Sequence, residues 1–323
     1  MFYSEKMSIN KVPEIVVFGS CMVDLVCYAP RLPRPGETIH GSDFKMGNGG
    51  KGANQCVAAA KLGASTCLIA RVGKDSFGAN YKADLHSLGV NTDHVIITEN
   101  ISTGMAQITV SDTGENVIVI VPGANNKLSF EDAQNAQNFL LNSRVVIFQF
   151  ETPLKSTIEV LQFVKREGSP CTIVNGAPAI KSVDLKIYEL CDIFCVNESE
   201  AAEFTGLNVS SVSDAFLALK KLQSYGCKTV IITLGKDGAV FSEDGNDPQH
   251  ISSPSVSAVD TTGAGDAFIG ALAYFTARFP NSSLGSRISR ACKVASHSVL
   301  FKGTQSSFPN KNDLSDEFFS DIK

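Results

Sequence analysis

A chain of 323 residues, 43% hydrophobic and 19% charged, has the makeup of an ordinary globular protein with enough length for a large core. Its formal charge of -5 and pI near 5.6 imply no basic face for nucleic acid, so an anionic ligand must rely on local N–H groups and a few lysines. The nine cysteines are odd in number, scattered through apolar runs and without a C-x-x-C pair, which disfavours disulfides and zinc.

Residues 1–13 read as a polar tail without the apolar core of a signal peptide. No apolar run is long enough to span a bilayer, so the expectation is a cytosolic protein with no membrane partner. Ile15 to Ser20 reads as a buried strand, and Leu25 to Tyr28 as a second extended run. Asp24 lies between them, close to where the first strand ends. After a proline-rich turn, His40 to Met46 suits a short strand. Gly47 to Asn54 is a glycine-rich element opening a helix that continues through Leu62 to a cap at Gly63. It lacks P-loop spacing.

Thr66 to Arg71 follows as a strand and Phe77 to Leu88 as a helix. Three further strands are expected at His94 to Thr98, Gly104 to Val110 and Asn116 to Val121. Val117 to Val121 is apolar on both faces and needs cover from the main body, a ligand or another subunit. From Ser129 onward helices and strands alternate, which predicts an α/β fold with right-handed crossovers and a mostly parallel sheet. The helix Phe130 to Leu141 leads to the strand Val145 to Phe150, and Leu154 to Arg166 to Cys171 to Asn175. Asp192 to Val196, the helices Ser199 to Thr205 and Asp214 to Tyr225, and the strands Lys228 to Leu234 and Ala239 to Ser242 continue the rhythm. The last helix is expected over Ile288 to Val299. Glu151, Asn175, Asn197, Glu200 and Thr233 then collect at the carboxyl ends of parallel strands, the rim where such sheets bind ligands.

The stretch V-D-T-T-G-A-G-D-A-F-I-G, Val259 to Gly270, joins a short strand end at Val256 to Val259 to an amphipathic helix starting near Asp266. Gly263 and Gly265 allow close approach to the main chain, and the unpaired N–H groups of the helix start suit an anion. Asp266 stands at the rim of that hole, either as a working carboxylate or as a helix cap.

Four ordered pieces point further: G-G-K-G-A-N at Gly49 to Asn54, N-E-S-E at Asn197 to Glu200, T-L-G-K-D-G at Thr233 to Gly238, and D-T-T-G-A-G-D at Asp260 to Asp266. Together they resemble the ribokinase-like (PfkB) carbohydrate kinases, over about Ile15 to Pro309. G-S-x-x-x-D at Gly19 to Asp24, Q-F-E at Gln149 to Glu151 and K-G-T-Q-S-S at Lys302 to Ser307 are most similar to its ribose-phosphorylating members. The resemblance implies a three-layer sandwich with a small β-sheet lid, from strands near residues 38–46 and 103–122 inserted in one kinase domain. It also implies transfer of the γ-phosphoryl of ATP to the primary hydroxyl of ribose; deoxyribose, fructose, 2-keto-3-deoxygluconate or a nucleoside are the alternatives, and a silent sugar-binding regulator is the rival class.

The same resemblance assigns roles. Asp266 would accept the hydroxyl proton, and the amides of Gly263, Ala264 and Gly265 would hold the transferring phosphoryl group. Met22, Val23, Asp24, Gly50, Lys51, Gly52, Ala53, Asn54 and Glu151 would line the sugar site. Asn197, Thr233, Leu234, Gly235, Lys236, Asp237, Gly238 and Gly265 would take ATP, and Glu200 would order Mg²⁺ through water. Asp260, Thr262, Ser298, Phe301, Gly303 and Ser307 would hold K⁺. A lid-mediated homodimer is expected. Met22 stands where related bacterial chains often carry Asn, Asn175-Gly176 replaces an Asn-Pro, and Asn48 is unexpectedly polar.

Overall fold

The computed structural model describes residues 12–181 and 183–320; the tail before residue 12 lies outside the described residues. In chain order the strands are β1 (Ile15–Phe18), β2 (Met22–Ala29), β3 (Asp43–Gly49), β4 (Thr66–Gly73), β5 (Val90–Asn91), β6 (Val95–Thr98) and β7 (Gly104–Ser111). β8 (Asn116–Val121), β9 (Val145–Phe148), β10 (Cys171–Asn175), β11 (Ile193–Asn197), β12 (Thr229–Thr233), β13 (Ala239–Ser242) and β14 (Gln249–Ile251) complete them.

The central sheet has the order β14-β13-β12-β11-β10-β9-β1-β4-β5, with β6 also on β4. It is parallel from β12 through β4, and β13 and β14 add an antiparallel edge. Its interior strands are apolar on both faces because helices cover both. Ile15 and Val17 of β1 pack toward the helices Lys51–Lys61, Ser76–Ser87, Ala264–Arg278 and Leu284–Ser298. Val16 and Phe18 point the other way, toward Phe130–Asn135, Gln137–Asn142, Leu154–Glu167 and Val212–Ser224. This period-two alternation yields three layers and two cores.

The helix Ala264–Arg278 is the most deeply set; every residue from Asp266 to Ala277 is buried. Phe268, Leu272 and Phe275 carry its stripe into the first core, each contributing about 1.5–3 kcal/mol by burial. Gly270 lets it cross the helix Lys51–Lys61 closely: a Cβ there would lie 2.6 Å from both Ala58 Cβ and the main-chain oxygen of Gln55. That crossing sets Asn54 and Gln55 beside Asp266.

A second, four-stranded sheet has the order β3-β2-β7-β8, parallel between β2 and β7 and antiparallel at both edges. The extended run expected at Leu25 to Tyr28 is the longer β2, and it belongs to this sheet beside the two inserted pieces.

Some expectations need correction. Val256 to Val259 is not a strand: Val256 and Val259 are exposed, and the segment has no strand neighbour. The helix expected over Phe130 to Leu141 breaks at Ala136 into two short helices. The third strand runs to Gly49, so the glycine run is strand end first, and the helix starts at Lys51. The last helix begins at Leu284, capped by Ser283, whose side chain accepts from the Ser286 N–H. β5, β14 and the helix Lys186–Leu190 are too short to carry a period.

Candidate active site

β1 has β4 on one side and β9 on the other, so the chain reverses its direction of winding there. The carboxyl ends of strands at such a reversal form a crevice. Ser20 leaves β1 and Glu151 follows β9. Ser20 Oγ donates to Glu151 Oε2 at 2.6 Å, and the Lys51 N–H donates to the same oxygen at 2.8 Å. The Gly52 N–H reaches Ser20 Oγ at 3.2 Å. Glu151 thus meets the positive start of the helix Lys51–Lys61, where a carboxylate is favoured.

Asp266 is the third residue of its helix, whose N-cap is Gly263 at φ 78° with no side-chain cap. Asp266 is therefore no cap. Its Oδ1 accepts from Gln55 Nε2 and its Oδ2 from Asn54 Nδ2, both at 2.9 Å, and the residue is only 7% exposed. Gly263 needs its positive φ; Gly265 lies within the helix and does not. The Ala264 N–H already turns back to Thr261 O at 3.2 Å, so Gly263 and Gly265 are the amides better disposed toward an incoming anion.

A cavity of about 170 Å³ opens here, lined by Lys51, Asn197, Glu200, Thr233, Asp266 and the two glycines 263 and 265, among others. Lys51 is central to its electrostatics. Burial alone would lower the ammonium's pKa, but Asp266, Glu151 and Glu200 outweigh it and hold the lysine charged. Burial raises Glu200 above the ordinary carboxylate range, partly opposed by the Asn197 N–H and Lys51. Asp24 is pushed up to about 6, first by burial and then by the charges of Glu151 and Asp266. Lys51, Glu200 and Asp266 line the cavity together, the Lys51 N–H binds Glu151, and the Asp24 carboxylate lies against Gly49.

Asn197 and Glu200 form a reciprocal cap on the helix Glu198–Thr205: the Glu200 N–H donates to Asn197 Oδ1 at 2.8 Å and the Asn197 N–H to Glu200 Oε2 at 2.9 Å. Both also line the cavity, and Glu200 is only 8% exposed. Thr233 sits beside Asn197 through strand pairing. Gly235, Lys236 and Asp237 make an exposed turn past the cavity wall, and Gly238 closes it at φ 90°. The Leu234 side chain packs into the second core, so only its main chain is placed to meet a ligand.

Asp24 lies on β2 with its carboxylate against Gly49. Met22 shares that face by alternation, whereas Val23 and Ala53 point into the first core and offer no side chain to a sugar. Gly50 and Gly52 meet the Cys21–Met22 and Gly19–Ser20 backbones. Asp260 accepts from the Thr262 N–H at 3.0 Å and the Gly303 N–H at 2.9 Å. Burial opposes its ionisation, yet these bonds and Lys302 hold it below its ordinary range. Ser298 and Ser307 are buried with hydroxyls donating to Ala295 O and Thr304 O, while the Phe301 side chain is 51% exposed.

Residues 12–311 match the family model of the pfkB family carbohydrate kinases. The chain belongs to that family. A ribokinase of Mus musculus is 46% identical over 301 residues, 93% of each chain. A deoxyribokinase of Salmonella typhi is 37% identical over 297 residues, 92% of this chain and 96% of that one. The structure of Arabidopsis thaliana ribokinase complexed with ribose and ATP is similar at a TM-score of 0.87 and 31% identity, covering 94% of this chain and 97% of that one.

In this pfkB-family chain two further residues hold the carboxylates of the candidate site: Ser20, which lies in the G-S-x-x-x-D stretch without a role of its own, and Gln55, which lies in no quoted motif. Ser20 joins Glu151 to the helix start, and Gln55 holds Asp266. Gln55 had a signal: a glutamine among Ala53, Cys56 and Val57 on a helix that otherwise buries small apolar residues. Among the described residues no helix is long and apolar enough to cross a membrane.

Proposed function

We propose that this chain transfers the γ-phosphoryl group of ATP to the 5-hydroxyl of D-ribose. The carrying observation is Asp266, a buried carboxylate fixed by two amide donors at a helix start whose glycines, Gly263 and Gly265, line the same cavity. Asp266 orients the hydroxyl and takes its proton as the sugar O–P bond forms; the bond from phosphorus to the leaving oxygen of ADP breaks. The amides of Gly263 and Gly265 stabilise the charge on the transferring group, with Ala264 contributing as its turn bond loosens. Asp24, Glu151 and Asn54 receive and donate the sugar's hydroxyl bonds, since carboxylates only accept and each hydroxyl donates one. Asn197, Thr233 and the turn at Gly235 to Gly238 supply the nucleotide side.

Mg²⁺ would neutralise the phosphates. Glu200, cavity-facing and near Lys51, fits a site that keeps several waters and takes one protein carboxylate. K⁺ fits the loop in which an ionised Asp260 is tied to Gly303; Thr262, Ser298, Phe301 and Ser307 would serve it mainly through main-chain oxygens. The choice of ribose rests on the likeness to the mouse and Arabidopsis ribokinases; the Salmonella deoxyribokinase and Met22 make deoxyribose the competing sugar. Purified protein with Mg-ATP is expected to release ADP fastest with ribose, and faster in K⁺ than in Na⁺. No ADP from ribose, deoxyribose, fructose or adenosine would sink the kinase reading; faster turnover of deoxyribose would reassign the substrate.

The second sheet is proposed as a lid over the sugar and as a dimer surface. Val117 to Val121 are each 45–58% exposed, and Phe44 and Met46 on β3 are 57% and 59% exposed. Such an apolar edge invites pairing with a second copy. Wild type is expected to sediment as a dimer at micromolar concentration and Val119→Asp as a monomer with higher sugar KM. A monomeric wild type removes the dimer proposal.

A further inference from the structure

The two amides that hold Asp266 are themselves held, and the direction of every bond traces back to a main-chain carbonyl. An asparagine or glutamine presents either a donor or an acceptor, so something must fix which way it faces. The Tyr81 hydroxyl donates to the main-chain oxygen of Gly49, which can only accept. Burial keeps the phenol well above its ordinary range, so it stays a donor. Its oxygen must then accept, and it does so from Gln305 Nε2 at 2.8 Å. The same nitrogen donates to Asn54 Oδ1 at 3.0 Å, which leaves Asn54 Nδ2 as the group facing Asp266 Oδ2. A parallel chain fixes Gln55. Asn175 Nδ2 donates to Cys195 O at 3.1 Å, so Asn175 Oδ1 accepts from Gln55 Nε2 at 3.0 Å, and Gln149 Nε2 supplies Gln55 Oε1 at 2.8 Å.

We propose that Tyr81 and Gln305 are positioning residues that lock the donor side of Asn54 against Asp266, although neither touches the carboxylate. The proposal rests on Asp266 being the proton acceptor. A reversed Asn54 would put an oxygen against a carboxylate oxygen and turn the base away from the substrate hydroxyl. Gln305 comes from the loop carrying Gly303, and Tyr81 binds Gly49 at the end of β3, so the base is set by the cation loop and the small sheet together. Gln305 is 7% exposed and Tyr81 1%, so water does not replace these bonds cheaply.

The test compares full-length wild type, Asp266→Asn, Gln305→Leu and Tyr81→Phe for kcat, KM for ATP and melting temperature. Gln305→Leu is expected to lower kcat roughly 10-fold or more with KM for ATP unchanged, since one charge-assisted bond to the base is no longer fixed. Tyr81→Phe keeps the ring and is expected to lose roughly 3- to 10-fold in kcat. A loss in kcat with KM for ATP and melting temperature held is the readout that a packing role would not move.

Unchanged kcat in Tyr81→Phe and Gln305→Leu overturns the locking role. So does a loss in which kcat, KM for ATP and melting temperature all move together. Equal turnover of wild type and Asp266→Asn would overturn the base assignment itself, and with it the proposal.

Discussion

Asp266→Asn is expected to cut turnover by roughly 10²- to 10⁴-fold, the range lost when a positioned proton acceptor is removed. KM for ATP should change little, because the proposed nucleotide contacts, the glycine amides, Asn197 and Thr233, remain. The effect on stability follows from partners rather than from capping, since Gly263 holds the cap position. Replacing one carboxylate oxygen by an NH₂ faces it against an amide donor, Asn54 Nδ2 or Gln55 Nε2. One buried donor then lacks an acceptor, a loss of about 1–3 kcal/mol. Opposing this, one negative charge leaves a site where Asp24 feels both Glu151 and Asp266. The two terms have similar size, so the melting temperature should stay within about 4 °C of wild type. ADP release and a thermal melt on the same preparation check both halves. Retained turnover would remove Asp266 from the chemistry.

The contacts of Asp266 mark where sequence reading ran short. The layers were legible: Val145–Phe148 and Ile231–Ile232 are apolar on both faces, and amphipathic helices such as Leu154–Glu167 alternate with such strands. The rim was legible too, because Asn175, Asn197 and Thr233 end parallel strands and Glu151 closely follows one. The partners of Asp266 were not. Asn54 and Gln55 lie 212 and 211 residues away and reach it only because two helices cross closely at Gly270. Gln305 and Tyr81 are farther from any motif logic, being joined to the site by side-chain bonds alone. Val256 to Val259 misled for the opposite reason: β-branched residues favour extended backbone locally, but no strand lies alongside to pair with them. The helix break at Ala136 had a faint signal in Asn135 beside it and Asn138 just beyond, since Asn competes with the backbone for hydrogen bonds and is a weak helix former.

Asp24→Asn is expected to make the protein more stable and nearly unable to use its sugar. Asp24 is raised from the ordinary 3.8 to about 6 by burial first, then by Glu151 and Asp266. A carboxyl whose folded pKa lies above its unfolded value favours folding while protonated. Its contribution is therefore fully present below pH 3.8 and lost as pH rises through about 6. At neutral pH the ionised group opposes folding by about 3 kcal/mol, or roughly 1–2 kcal/mol once solvent at the open rim screens it. Asn removes that charge, so its melting temperature should exceed wild type by about 2–5 °C at pH 8, with the gain gone below about pH 4. The sugar pays no such benefit forward: its hydroxyls need an acceptor that only the ionised carboxylate supplies fully, and KM for ribose should rise about 100-fold or more in Asp24→Asn. In wild type the same titration should make kcat/KM for ribose climb through about pH 6 and level off above pH 7, while kcat/KM for ATP lacks that limb. A destabilised Asp24→Asn at pH 8 would mean that the carboxylate is held by bonds stronger than the burial and repulsion that raise its pKa.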